Sequence, residues 1–410
     1  MSRTVCAKTT LLLTLALLAS PSTAQADAPI DTPDALTQAL AQAEPGDEVL
    51  IASGRYENWD VELKDQGKKD APIVIRPAEP GGVIFTGENR FLFTGDHLTL
   101  RGLTFDGVVS DQYNGVIFFR GSNHCRITDS TFIHARLTSS DTLVVFEQSA
   151  ADNRLDHCIF DDIRTRSVRI AIDNHSLEHG PPVRNRIDHN LFMNIPPLGR
   201  NGGETIQIGS RAYPYSRLES HTLVEENTFL RCNGEGEIVC VKSTANTIRG
   251  NRFLHCDGQL SLRHGGGNTV QENLFLDCVI GVRISGPNQI VTGNTIINAR
   301  DSGIVLWYGT PDAKHPAAYL PVHDCVIKDN TIIHSDKAGI FIGANRNQKW
   351  HNNRWAKMSY GSRRADLRIT MPPHNNTITG NTITGDSGSL IVENHAPENT
   401  IESNTLIDRE

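Results

Sequence analysis

The chain has 410 residues and a formal net charge of −8, from 39 Lys and Arg against 47 Asp and Glu. That balance excludes a bulk nucleic-acid binder, because a polyanion is repelled everywhere except at a local basic cleft. Its long apolar run, residues 11–19, is too short for a membrane span, so no membrane-spanning segment is expected.

At the N-terminus, Arg3 and Lys8 precede that run, and Ala24-Gln-Ala26 follows Ser20, Pro21, Ser22 and Thr23. A basic start, a short apolar stretch and an Ala-x-Ala end read as a secretory signal peptide over 1–26. The chain is expected to be exported, periplasmic or secreted, with 27–410 as one domain and a charge of −10 once Arg3 and Lys8 are removed from −8. Residues 31–43 predict a helix: Thr32 can cap it, Pro33 suits its first turn, and Leu36, Ala39, Leu40 and Ala43 form an apolar stripe. A short amphipathic helix before the first strands suits the end cap of a stacked solenoid, whose open core end is otherwise wet.

From about residue 70 the chain repeats itself. Asn followed by small and apolar residues recurs at Asn190, Asn227, Asn251, Asn273, Asn294, Asn330, Asn381 and Asn404. Intervals from Asn227 are 24, 22 and 21 residues, and the last is 23; those of 36 and 51 contain insertions. A period near 22 made of short β-runs and turns predicts an all-β parallel β-helix, with about three strands per turn. Asn at a fixed corner can bond the Asn above and below while tolerating the turn conformation. The seven cysteines after Cys6 fall into this pattern: Cys232, Cys256 and Cys278 hold equivalent places, as expected of a buried core ladder rather than disulfides. Two insertions interrupt the repeat. Residues 309–323 contain Pro311, Pro316 and Pro321. Residues 345–375 carry Arg346, Lys349, Arg354, Lys357, Arg363, Arg364 and Arg368 among Trp350, Trp355 and Tyr360. The second suits either a negatively charged sugar or nucleic acid, or else a solvated or subunit-packing loop.

The repeat also serves as a ruler. Lys242 to Arg263 is 21 residues and Arg263 to Arg283 is 20, which predicts one stack of three cations. Glu235 and Glu237 share a strand face, Lys242 has the opposite parity, and a bend must lie between them. Asn201, Glu204, Glu235 and Glu237 would form an oxygen-rich cluster. It reads either as a calcium (Ca2+) site or as an exposed acidic corner. Lys242 and Arg263 beside it read either as a surface ion-pair ladder or as a site for β-elimination of a uronic-acid polymer. In that reaction a lysine takes the C5 proton, an arginine stabilises developing charge, and a metal neutralises the sugar carboxylate. Direct proton donation by Arg263, or donation through His264 or water, stays open.

The blocks Asn201-Gly-Gly-Glu204-Thr-Ile-Gln-Ile-Gly209, Asn233-Gly-Glu235-Gly-Glu237-Ile, Val241-Lys242-Ser243 and Ser261-Leu-Arg263-His264-Gly265 resemble polysaccharide lyase family six, the alginate lyases and chondroitinase B. The opening turns, from Leu36 to Tyr56 and from Ala71 to Ala78, resemble that family too. The resemblance implies a right-handed parallel β-helix and calcium-assisted β-elimination. It makes Lys242 the base and Arg263 the acid or charge stabiliser. Asn201, Glu204, Glu235 and Glu237 become calcium ligands, and Arg283 holds the substrate carboxylate. His264, Tyr213, Tyr215 and Trp307 are the remaining expected substrate-binding residues. The substrate expected is alginate, an acidic polysaccharide, acted on by a monomer or weak homodimer. Alternatives are dermatan sulfate, or an exported β-helix that binds glycan without cleaving it.

Overall fold

The structure is a computed structural model that describes residues 29–138, 141–210, 213–311, 314, 318–346, 369–385 and 390–408. The proposed signal peptide lies outside these residues, as does the basic and aromatic part of the second insertion from 347 to 368. Helix Pro33–Gln42 forms where expected: the Thr32 hydroxyl accepts from the Ala35 amide, and Leu36 and Leu40 are buried. Apart from a short helix at Asn174–His179 and a 3-10 turn, the rest of the described residues build a parallel β-helix of three sheets, with 13, 13 and 12 strands. Every third strand pairs in register with the one a turn earlier, so residues far apart in sequence lie about 4.8 Å apart.

Two stacks run through the core. Phe105, Phe132, Phe160, Phe192, Phe229, Phe253 and Phe275 lie ring on ring at 4.6–5.1 Å. At a corner, the side-chain amides from Asn190 to Asn404 form one ladder, each donating to the next at 2.9–3.0 Å. The ladder crosses both long intervals unbroken, so the insertions leave the solenoid in register. The left-handed turn conformation, however, belongs to the residue before each Asn. His189, Glu226, Gly250, Glu272, Gly293, Asp329, Gly380 and Ser403 have φ between 53° and 67°. The preceding residue makes the turn, and the Asn side chain is free to bond along the stack.

All seven described cysteines are buried as free thiols. The Cys232 amide donates to Cys256 Sγ at 3.4 Å, one turn away. Thiol titration of the purified chain in denaturant, without reductant, should therefore count every cysteine. A shortfall of two would show a bridge.

Candidate active site

The blocks converge on the outer face of the third sheet. Strand Glu237–Val241 pairs with Gln259–Leu262, with Val241 opposite Leu262. Lys242 and Arg263 follow directly on adjacent turns. The Arg263 and His264 amides both donate to the Val241 carbonyl, at 2.8 and 3.1 Å. The bend required between Glu237 and Lys242 is a β-bulge between Glu237 and Val239. One extra residue restores the parity and turns Glu237 to the Lys242 face.

The three-cation stack needs correction. Arg283 pairs with Ser261, and Ser261 with Cys240. It therefore stands two residues short of the Lys242–Arg263 column, on the same face. Its side chain crosses that gap: Arg283 Nη2 donates to Glu237 Oε1 and to the Ser261 hydroxyl.

Glycines set the backbone approach. A Cβ on Gly203 would sit 2.5 Å from the Gly234 carbonyl oxygen, and one on Gly234 2.3 Å from that of Gly203. Only paired glycines let the Glu204 and Glu235 turns close this tightly.

The carboxylates are each held differently. Glu204 is fully buried. Its Oε1 accepts from Lys242 Nζ at 3.1 Å, and its Oε2 from Arg166 at 2.7 Å. Lys242 Nζ also donates to Gln207 Oε1 at 3.2 Å. Burial works to raise the Glu204 carboxyl, but Lys242 and Arg166 bring it down to about 2. Glu237 Oε2 accepts from Arg263 Nη1 at 2.8 Å and from the Cys240 thiol at 2.8 Å. Against its burial, the charges of Arg263, Arg283 and Lys242 hold Glu237 well below the usual carboxylate range. Glu235 Oε2 accepts from the Gly202 and Gly203 amides at 2.9 and 3.2 Å. Its burial and the neighbouring Glu204 and Glu237 charges push that carboxyl up.

Three guanidinium donors here are buried without a hydrogen-bond partner, Arg263 Nε, Arg283 Nε and Arg169 Nε, and so is the Nδ1 of the His264 ring. Burial, then the charges of Arg263 and Lys242, pushes His264 well below its ordinary range, so its imidazole is neutral. Burial works against the Arg263 charge, but Glu237 above all raises its pKa well above the ordinary value. Trp307 covers Arg283, its ring centroid 4.3 Å from Cζ.

Of the expected metal ligands, Glu204 and Glu237 come together, with Cys240 as a third group whose ligand atoms all lie within 4.8 Å. Burial and the neighbouring Glu237 charge push the Cys240 thiol well up. Glu235 stands close enough for its charge to be felt, and Asn201 is exposed at the edge. The Glu204, Glu235 and Glu237 carboxylates supply the oxygen ligands that a hard divalent cation takes, with the Cys240 sulfur beside them. Tyr213 and Tyr215 are half-buried. Tyr215 donates to Asn174 Oδ1 at 2.6 Å, and the Ser216 carbonyl accepts from Thr244. Sequence reasoning passed over Arg166, Arg169 and Tyr319. The first two had a signal, arginines set in the apolar strand Arg166–Ile170. Tyr319 comes from an insertion, where no period applies.

A family profile described as Chondroitinase B matches residues 30–410. No curated protein matches the sequence. Among solved structures, the family-six alginate lyase AlyGC is 28% identical, with a TM-score of 0.77 over 92% of this chain. The chain spans about half of that protein, 51% of its length. A mannuronic-acid-specific family-six lyase from human gut microbiota is 26% identical, with a TM-score of 0.78 over 92% of this chain and 84% of its own. The family-six lyase Pedsa3628 from Pseudopedobacter saltans, 24% identical, shares the fold, with a TM-score of 0.76 over 93% of this chain and 92% of its own. With the same parallel β-helix and a profile match over nearly the whole chain, this protein belongs to the chondroitinase B family, the family-six polysaccharide lyases.

Proposed function

We propose that the protein is an exported lyase that cleaves alginate by β-elimination, leaving a C4–C5 double bond on the new non-reducing end. One observation carries the reading: Lys242 and Arg263 stand in register beside guanidinium N–H groups of Arg263 and Arg283 that are buried without partners. Buried cationic donors call for an anionic ligand, and a uronate carboxylate supplies one. Alginate is preferred because AlyGC and the mannuronic-acid-specific lyase are similar at 28% and 26% identity.

Arg283, braced by Trp307, holds the sugar carboxylate. Lys242 takes the C5 proton through Nζ after passing its ammonium proton to solvent. Arg263 stabilises the developing charge and does not donate a proton, since its guanidinium is held charged. Neutral His264 is no acid either. The leaving glycosidic oxygen therefore takes its proton from water. Glu204, Glu235, Glu237 and Asn201 would hold calcium, which when bound neutralises the substrate carboxylate and makes C5 more acidic.

The test is incubation with mannuronate blocks, guluronate blocks and dermatan sulfate, with and without chelator, following ultraviolet absorbance of the unsaturated product. Product from alginate alone supports the reading. Product from dermatan sulfate alone reassigns the substrate, and none from any polymer leaves a glycan-binding β-helix. Calcium added to chelated protein should raise the melting temperature: a ligand specific to the folded state at a hundredfold excess over its Kd adds about 2.7 kcal/mol. Glu235→Gln should abolish that shift. An equal shift in the variant would place the ion elsewhere.

A further inference from the structure

The insertion after strand Ser302–Trp307 brings Tyr319 to the site. Its ring stands 5.2 Å from Trp307, edge-on, and 5.7 Å from the His264 imidazole, with the planes 29° apart. The same ring lies 5.9 Å from Arg263 Cζ. Tyr319 is only 6% exposed, so these contacts face the protein interior. Its main chain is pinned. Thr310, fully buried, donates its amide at 2.8 Å and its hydroxyl at 2.7 Å to the Tyr319 carbonyl. Gly309 packs so closely that a Cβ there would sit 2.4 Å from Pro321 Cα.

We infer that Tyr319 is a positioning residue for Arg263. Its ring and the Glu237 carboxylate hold the guanidinium from two sides, with 21% of the Arg263 side chain left exposed. The inference rests on the lyase reading above. A single bond from Nη1 to Glu237 lets the guanidinium swing about that contact. A ring beside Cζ removes this freedom through a cation–π contact. It does so without taking up a donor, and without compensating the charge as a second carboxylate would. Trp307 does the same for Arg283. The two arginines are thus each fixed by Glu237 and an aromatic ring, and the rings brace each other.

The test is steady-state kinetics on the uronate polymer that the wild type degrades. Tyr319→Phe should keep kcat within about twofold, because the ring remains. Tyr319→Leu should lower kcat about tenfold and change KM less than about threefold, since Arg263 acts on developing charge. In an Arg263→Lys background the same change should cost under about twofold, because coupled residues are not additive. Full additivity overturns the inference, as does an equal loss in Tyr319→Phe and Tyr319→Leu. If Tyr319→Leu does not fold, Thr310→Val should give a smaller loss of kcat at unchanged KM, and an unchanged kcat in that folded variant overturns the inference. Should the wild type make no unsaturated product, the lyase reading falls and Arg263 becomes a binding cation. Calorimetric titration with a mannuronate or guluronate oligomer then decides. Weaker binding by Tyr319→Leu but not Tyr319→Phe sustains the role, and equal or absent binding overturns it.

Discussion

Lys242→Ala is expected to lower kcat by about a thousandfold, the middle of the range for losing a positioned general base, and to leave the fold intact. The fold survives because Glu204 keeps Arg166, which donates to it from Nε and Nη2 at 3.2 and 2.7 Å. Loss of activity alone does not separate a base from a binding cation. Lys242→Arg does. It keeps the positive charge beside Glu204 and Gln207, but a guanidinium does not release its proton in a protein. If Nζ takes the C5 proton, Lys242→Arg should be nearly as inactive as Lys242→Ala. If Lys242 only attracts the polymer, the arginine variant should keep most of the activity, and the mechanism proposed here is wrong. Initial rates of double-bond formation, with melting temperatures of both variants, decide the matter.

Lys242 and Arg263 were legible as neighbours because parallel pairing turns a sequence interval of one repeat into a step of about 4.8 Å. The same ruler misplaced Arg283. Counting residues assumes turns of equal length, but Arg263 to Ser285 is one turn of 22 residues, and Arg283 falls two residues short. The bulge at Glu237 was required by parity, but its position depends on the partner strand, which the local sequence does not encode. Arg166 escaped notice for a related reason. It lies 38 residues before Glu204, and the helix Asn174–His179 lies between them. The asparagine ladder was plain, yet the residue bearing its strained turn was not. His, Glu, Asp, Ser and Gly all occupy that place, and no single letter marks it.

Glu237 should prove the site's structural keystone as well as part of its chemistry. Both of its oxygens are engaged, Oε2 by Arg263 and Cys240, Oε1 by Arg283 and Ser261. Glu237→Gln removes the charge and keeps the shape, leaving two largely buried guanidinium groups with a neutral acceptor. Breaking a buried pair on one side costs about 3–5 kcal/mol, so denaturant midpoints should fall by that equivalent, with activity lost because Arg263 is no longer oriented. The acid limb gives an independent check. Glu237 and Glu204 have folded-state values below the ordinary 4.5, Glu204 at about 2. A depressed carboxyl adds stability that is complete above the unfolded value and disappears as pH falls through the folded one. Wild-type stability should therefore drop between about pH 4.5 and pH 2, in part through these two groups. Glu237→Gln should begin lower and descend less steeply over that window. A variant as stable as wild type, with the same acid limb, would mean that the Arg263–Glu237–Arg283 arrangement contributes nothing to the folded state. The orientation assigned to Arg263 would then lose its anchor.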